Sequence, residues 1–209
     1  MSIEQMNQAS SAKHFFVPDL PTKGGRITAL TYCPYFLFVL YLTLTNTSFT
    51  LGILIPPYVI TIFIADYFFE VMWKKEMSKF LKKTDWTCES NRNKNYWIAQ
   101  LSVFSCAFAE VLLVYTAVDL GYSPTLTLTL LVGAKILGAP IQGWACDFWK
   151  RKPNFLFSMI VSMGTIFLLQ QSHDAKAMIL WLLLIKGFLG NVDTIGRTII
   201  ADERKIKGA

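Results

Sequence analysis

Six long apolar segments that almost lack charged residues constrain this chain more than any other feature. A helix needs roughly 20 apolar residues to cross the ~30 Å hydrocarbon core of a membrane. Open strands would leave backbone polar groups unpaired in lipid, so each segment is expected to be helical. The segments are Ile27–Ser48, Leu51–Met72, Trp97–Val118, Pro124–Cys146, Asn154–Gln171 and Ala177–Ala201. The sequence therefore predicts an all-α integral membrane protein, a bundle of about six transmembrane helices in contact with the lipid bilayer.

Basic residues alternate from one side of these segments to the other. Of the 20 Lys and Arg, most lie in the N-terminal tail, in residues 73–96, in the turn Lys150–Lys152 and in the C-terminal tail. The other connections carry only Lys176. This pattern follows the positive-inside rule and predicts that both termini lie in the cytoplasm. It also explains the net charge of +6 without nucleic acid, which is not expected as a partner.

The segments divide the chain into four parts. Residues 1–26 are predicted to be a cytoplasmic tail, 27–72 a transmembrane hairpin, 73–96 a basic cytoplasmic loop, and 97–209 a four-helix unit. The loop begins with apolar residues at helical spacing among lysines. This pattern fits either an amphipathic helix on the inner leaflet or a continuation of the second span.

Five ionisable residues lie deep within the predicted spans: Glu110, Lys135, Lys186, Asp193 and Arg197. Charges at such depth usually face a bundle interior or an aqueous cavity. We interpret them as a solute or ion pathway, the alternative being a structural network of ion pairs. The basic members favour an anionic solute, and a buried Glu110 is a candidate for proton coupling because burial favours the neutral carboxyl group.

Pairing among these residues can be partly anticipated. Lys186, Asp193 and Arg197 are predicted to share one stripe of the sixth span, where Asp193 can pair with Arg197 one turn away. Lys186 would then need a partner elsewhere, and Glu110 could serve either Lys186 or Lys135. Two further acids of the second span, Asp66 and Glu70, are expected to reach the inner interface and the lysines that follow.

Catalytic and metal-binding patterns do not stand out in the sequence. The four cysteines are scattered without a CxxC pair, and the two histidines are far apart. No nucleophile–base set or phosphate-binding loop is evident, so we expect neither an enzyme nor a cofactor or metal site.

The stretch GWACDFWKRKP at 143–153 ends an apolar run with one acid before three bases. It resembles the cytoplasmic signature of the major facilitator superfamily, G-x-x-x-D-R-x-G-R-R/K. Gly143, Asp147, Arg151 and Lys152 match, whereas Phe148 stands at the usual Arg and Lys150 at the usual Gly. The segments LGYSPTLTLTLLVGAKILGAPI and LLLIKGFLGNVDTIGRTIIADE are similar to the second and fourth helices of the family, so the resemblance covers roughly residues 97–205.

The resemblance implies a helical transporter in which Gly143, Asp147, Arg151 and Lys152 form a conformational latch. In the family the signature follows the second helix of a repeat, but here it follows the fourth span. Residues 27–72 would then be either an added hairpin or the fifth and sixth family helices. Either arrangement leaves a repeat incomplete at Ala209, so we expect a partial or truncated transporter.

The leading functional prediction is transport of a small solute by alternating access, in a cell or inner membrane. The alternative is a multi-span protein that does not transport, acting as an anchor or interaction partner, or an inactive transporter fragment. A complete chain of this length would need to form an oligomer to enclose a pathway.

Overall fold

Seven helices account for most of the part of the chain that the structure describes. The computed structural model describes residues 13–14, 19–81, 86–89, 94–171, 176–202 and 205–208. The helices are α1 (Leu20–Leu44), α2 (Leu51–Leu81), α3 (Lys94–Asp119), α4 (Pro124–Trp149), α5 (Arg151–Gln171), α6 (Lys176–Leu189) and α7 (Val192–Asp202). The predicted all-α membrane bundle is confirmed.

Within the described residues, five helical segments are long and apolar enough to cross a membrane. They are Leu20–Leu44, Leu51–Ser78, Tyr96–Asp119, Pro124–Trp149 and Met178–Ala201. The last of these joins α6 and α7 into one path. Helix α5 is not among the five, although its 21 residues would extend about 31 Å, enough to span the hydrocarbon core.

A small antiparallel sheet joins the two termini to the predicted loop. Its strands are β1 (Lys13–His14), β2 (Trp86–Glu89) and β3 (Lys205–Gly208), and β3 pairs with both of the others. Strand β2 precedes α3 and β3 follows α7, so the path between them must return to the same end of the bundle. This requires an even number of crossings, and α5 must therefore cross as well. We call the end of the bundle that carries the sheet the basic end.

Two boundaries differ from the prediction. Helix α1 begins at Leu20 rather than Ile27, so the polar tail is shorter than residues 1–26. Helix α2 continues without interruption to Leu81, so the segment after Met72 is a continuation of the span rather than a separate surface helix. With 31 residues, α2 extends about 46 Å and must project beyond the hydrocarbon core. Its projecting part buries Trp73 and Met77 against Leu20.

The sixth span is not continuous, which corrects the expectation of one regular stripe. Helix α6 ends at Leu189, Gly190 and Asn191 are not helical, and α7 begins at Val192. Lys186 therefore belongs to one half-helix, and Asp193 and Arg197 belong to the other. Their relative positions are set by the break and not by a helical repeat of 100° per residue.

Helix α4 lies at the centre of the packing, because glycines let two other helices touch its backbone. A β-carbon added to Gly138 would lie 2.2 Å from the carbonyl oxygen of Phe188 in α6. A β-carbon added to Gly25 of α1 would lie 2.3 Å from the carbonyl oxygen of Ala139. In membranes, such small residues allow helices to pack closely where lipid gives no hydrophobic driving force.

The contact at Gly138 gives a stability prediction. Gly138→Ala should lower the free energy of unfolding by about 1–3 kcal/mol, because the added methyl group must displace backbone rather than a flexible side chain. Gly164→Ala in α5 is the matched control, since nothing lies within 4 Å of its added β-carbon. The control should be neutral or stabilising by up to about 1 kcal/mol. Denaturation of both variants in detergent micelles measures the difference, and equal stabilities would contradict the close α4–α6 contact.

Candidate functional site

Four charged side chains from four helices meet in the interior of the bundle. The Lys135 ammonium nitrogen on α4 lies 2.9 Å from Glu110 Oε2 on α3 and 2.7 Å from Asp193 Oδ2 on α7. The Lys186 ammonium nitrogen on α6 lies 3.3 Å from Glu110 Oε1. We call these four residues the charge network. Glu110 contacts both lysines, so the two pairings that the sequence left open are both present.

The charge network is closed to solvent and electrically neutral. Lys135, Lys186 and Asp193 have no exposed surface, and Glu110 is 1% exposed. Two ammonium groups balance two carboxylates. An isolated charge would be strongly unfavourable here, and only mutual pairing makes its burial tolerable.

Tyrosines from the first two helices complete the surroundings of Lys135. The Tyr58 hydroxyl donates a hydrogen bond to Glu110 Oε2 at 2.5 Å, and the Lys135 ammonium nitrogen lies 3.4 Å from the same hydroxyl oxygen. The Lys135 nitrogen also lies 5.0 Å from the centre of the Tyr32 ring, a cation–π contact. Five of the six membrane-crossing paths therefore contribute to the immediate surroundings of the Lys135 ammonium group, and only α5 does not.

A second ion pair leads from the charge network toward the basic end. The expected Asp193–Arg197 pair is not what forms, because Asp193 contacts Lys135 and the Arg197 Nε instead donates to Asp66 on α2. Arg197 also donates through Nη1 to the Thr28 hydroxyl at 3.4 Å. Asp66 was expected to reach the interfacial lysines, and this was wrong; Glu70 does pair with Lys74, at 3.3 Å.

The break in the sixth span is stabilised by side chains of other helices. Gln142 on α4 donates to the carbonyl oxygens of Phe188, at 3.0 Å, and Leu189. The Gly190 carbonyl accepts from Lys186 at 2.8 Å and from Ser162 on α5 at 3.3 Å. These donors satisfy carbonyls that lose their partners where the helix ends.

One residue at the break keeps free hydrogen-bonding capacity. Asn191 is fully buried, and neither its amide nitrogen nor its amide oxygen has a partner among the residues that the structure describes. The Tyr32 hydroxyl is in the same condition. Buried polar groups are usually hydrogen-bonded, so both side chains have capacity for a further partner.

At the basic end, the predicted latch residues lie beside the start of α1. Asp147 Oδ2 accepts from the Thr22 backbone amide at 3.1 Å and from the Thr22 hydroxyl at 2.6 Å. Gly143 permits this approach, since an added β-carbon would lie 2.2 Å from the Pro21 carbonyl oxygen. The Asp147 carboxylate thus lies at a helix N-terminus, where the helix dipole favours negative charge. Of the other two, Arg151 is buried at the first turn of α5, and Lys152 is exposed.

Lys150 has a backbone conformation that normally requires glycine. It has φ 78° and ψ 142° and forms the junction between α4 and α5. The family signature has Gly at this position, and the observed angles lie close to a region that is essentially restricted to glycine. The chain therefore has Lys where the signature has Gly, but its backbone at this position keeps a conformation that glycine adopts most easily.

Several site residues were missed in the sequence. Tyr32, Tyr58 and Gln142 carry no charge, so looking for ionisable residues within the spans did not mark them as partners of the charge network or of the break. A search for amide side chains inside the spans would have found Gln142. Within the described residues, no group of three His, Cys, Asp or Glu could hold a metal ion.

Comparison with known proteins identifies no relative. No known protein family, no curated protein and no solved structure matches this chain.

Lys135 is predicted to be the most sensitive position of the charge network. Lys135→Met should lower the free energy of unfolding by about 3–5 kcal/mol, because two buried carboxylates would share a single cation. Adding Asp193→Asn should recover part of the loss, since the network becomes neutral again. Detergent denaturation of the single and double variants measures both effects. Lys94→Ala, at an exposed position on α3, serves as control. A double variant less stable than Lys135→Met would argue against charge balance as the cause.

Lys150 gives a prediction of the opposite sign. Lys150→Gly should stabilise the protein by about 1 kcal/mol, because glycine adopts positive φ without steric strain. Lys150→Ala removes the same charge but keeps a β-carbon, so it should bring no such gain. Thermal unfolding of the two variants side by side separates the effect of the backbone from that of the charge.

Proposed function

We propose that this protein moves a small solute across a membrane by alternating access, as a transporter of the major facilitator type. The observation that carries the proposal is the charge network beside the break in the sixth span. Ionisable residues inside membranes are rare and usually mark a pathway for ions or solutes. Discontinuous helices are a recurrent feature of transporter binding sites.

The chemistry of the break supports a transport role. Its half-helices can change angle without disturbing a regular hydrogen-bond ladder, since the ladder is already interrupted. Asn191 and the Tyr32 hydroxyl offer unused hydrogen-bonding groups that a passing solute or water could meet. A solute at this position would contact both halves of the span together with the centre of the bundle.

Glu110 is the residue through which protons would couple to transport. It contacts both lysines and Tyr58, so its protonation would remove the charge that holds these groups together. Lys186 would keep its bond to the Gly190 carbonyl, and Lys135 would keep Asp193. Protonation would therefore loosen α3 from α4 and α6, the kind of two-state change that alternating access requires.

The contact between Asp147 and Thr22 would close the basic end in the present conformation. It joins the end of α4 to the start of α1 through one carboxylate and two donors. Such a contact is strong enough to hold a conformation and small enough to break, since a capping bond contributes about 0.5–2 kcal/mol. It is the role expected of a latch.

A second candidate is a membrane protein that anchors or binds a partner without transporting. The observation in its favour is that the four charges of the network are buried, paired and neutral, as in a purely structural network. In that case the charge network fixes the register of the helices and has no part in moving a solute.

Uptake into proteoliposomes distinguishes a transporter from a membrane protein that does not transport. Purified protein is reconstituted and assayed with a panel of labelled anionic, cationic, zwitterionic and neutral small solutes, with and without a proton gradient. At least one solute should accumulate above protein-free liposomes. Glu110→Gln and Lys186→Ala should reduce its uptake by roughly tenfold or more, because each removes a charge from the network. Lys94→Ala is the control that should leave uptake unchanged.

Two outcomes would contradict transport through the charge network. One is a correctly folded, reconstituted protein that moves no solute of the panel. The other is uptake that survives both substitutions in the charge network, which would place the pathway elsewhere.

A further inference from the structure

A polar cavity of about 260 Å³ lies between α2, α3 and α7, on the basic side of the charge network. Its walls come from the middle of α2, the first part of α3 and the last turns of α7. Pockets for drug-sized ligands occupy about 300–1,000 Å³, so this cavity suits a smaller solute. Arg197 lines it, and Arg197 lies one helical turn beyond Asp193 of the charge network.

The charges of the cavity walls have both signs. Asp66 and Glu70 supply carboxylates, each with a side chain 46% exposed, and Arg197 supplies a guanidinium group that is 5% exposed. Glu70 pairs with Lys74 at the surface, where an ion pair contributes little and exchanges readily. A cation entering the cavity can therefore compete for this carboxylate.

Arg197 keeps one donor in reserve. Its Nε donates to Asp66 and its Nη1 to Thr28, but its buried Nη2 has no partner in the part of the chain that the structure describes. A guanidinium group offers five N–H donors and binds carboxylates especially well. An unfilled donor on a buried cation that lines a cavity points to an anionic group of a ligand.

Aromatic rings line the same cavity. Trp73 of α2 and Tyr96 of α3 both contribute to its wall, with Glu70 one turn before Trp73. The face of an aromatic ring attracts an ammonium group, especially where water is partly excluded. The acidic and aromatic part of the wall thus suits a cation, and the Arg197 part suits an anion.

From this arrangement we propose that the cavity binds a small zwitterion, a solute with one ammonium and one carboxylate group. Its carboxylate would bind Arg197, and its ammonium group would lie near Glu70 and the aromatic rings. This deepens the proposed transport function by naming the substrate class. It also revises the expectation of an anionic solute, because both lysines of the charge network are already neutralised by Glu110 and Asp193.

Binding to the purified protein in detergent tests the proposal apart from transport. The ligands are glycine, β-alanine, 4-aminobutyrate and 5-aminovalerate, which vary the distance between the two charges. n-Propylamine and propionate are the matched compounds that lack one charge each. At least one zwitterion should bind with a dissociation constant roughly tenfold or more below those of both, as expected when a charge-assisted hydrogen bond is lost.

Variants assign the binding to the cavity. Glu70→Gln and Arg197→Lys should each weaken zwitterion binding roughly tenfold or more, the second because lysine keeps the charge but loses the planar donor group. Asp119→Asn, an exposed acid at the opposite end of α3, should leave binding unchanged. If Arg197→Lys does not fold, Glu70→Gln alone decides, since its side chain is half exposed.

The outcomes separate the two proposals. Binding of a zwitterion without uptake in proteoliposomes supports the site and contradicts transport. Uptake of some other solute, with no zwitterion binding, supports transport and contradicts the site. Equal binding of n-propylamine and the zwitterions would show that the cavity binds cations only, and would overturn the proposal. Zwitterion binding that is unchanged by Glu70→Gln would overturn it as well.

Discussion

The ammonium group of Lys135 lies within 3 Å of two carboxylates, Glu110 on α3 and Asp193 on α7. Within the membrane these charges must be paired, because burying a charge of either sign alone is strongly unfavourable. Since the three residues come from three helices, satisfying one ammonium group fixes how those helices sit relative to one another. Lys186 extends the constraint to α6 through the second oxygen of Glu110. The interior of this bundle is thus specified by electrostatics as much as by packing.

The break in the sixth span depends on the same residues. Lys186 bonds to both Glu110 and the Gly190 carbonyl, so it belongs to the charge network and to the end of α6 at once. Gln142 supplies the remaining donors from α4. A change in the protonation of Glu110 would therefore reach the break through one side chain. This physical link is what makes the proposed coupling between charge and conformation specific.

Hydropathy and the positions of Lys and Arg were enough to predict a helical membrane bundle, because lipid imposes length and sidedness directly on the sequence. Glu110, Lys135 and Lys186 could also be identified, since a charge in an apolar run is conspicuous. Their pairing could not be predicted, because it depends on how separate helices pack. The break at Gly190 was missed for a similar reason. Its stabilising donors, Gln142 and Ser162, come from other helices, and a hydropathy profile passes over it smoothly.

The most extensive helix contact, between α1 and α4, also has a consequence for how the chain is made. About 80 residues separate Leu44 from Pro124, so α1 leaves the ribosome long before its partner exists. At about 5–20 residues per second, the delay amounts to roughly 4–16 s. During that time Gly25 of α1, which packs against the backbone of Ala139 in the folded protein, must be covered by something other than α4. Biogenesis of this protein therefore requires a temporary neighbour for its first helix, either lipid or the insertion machinery.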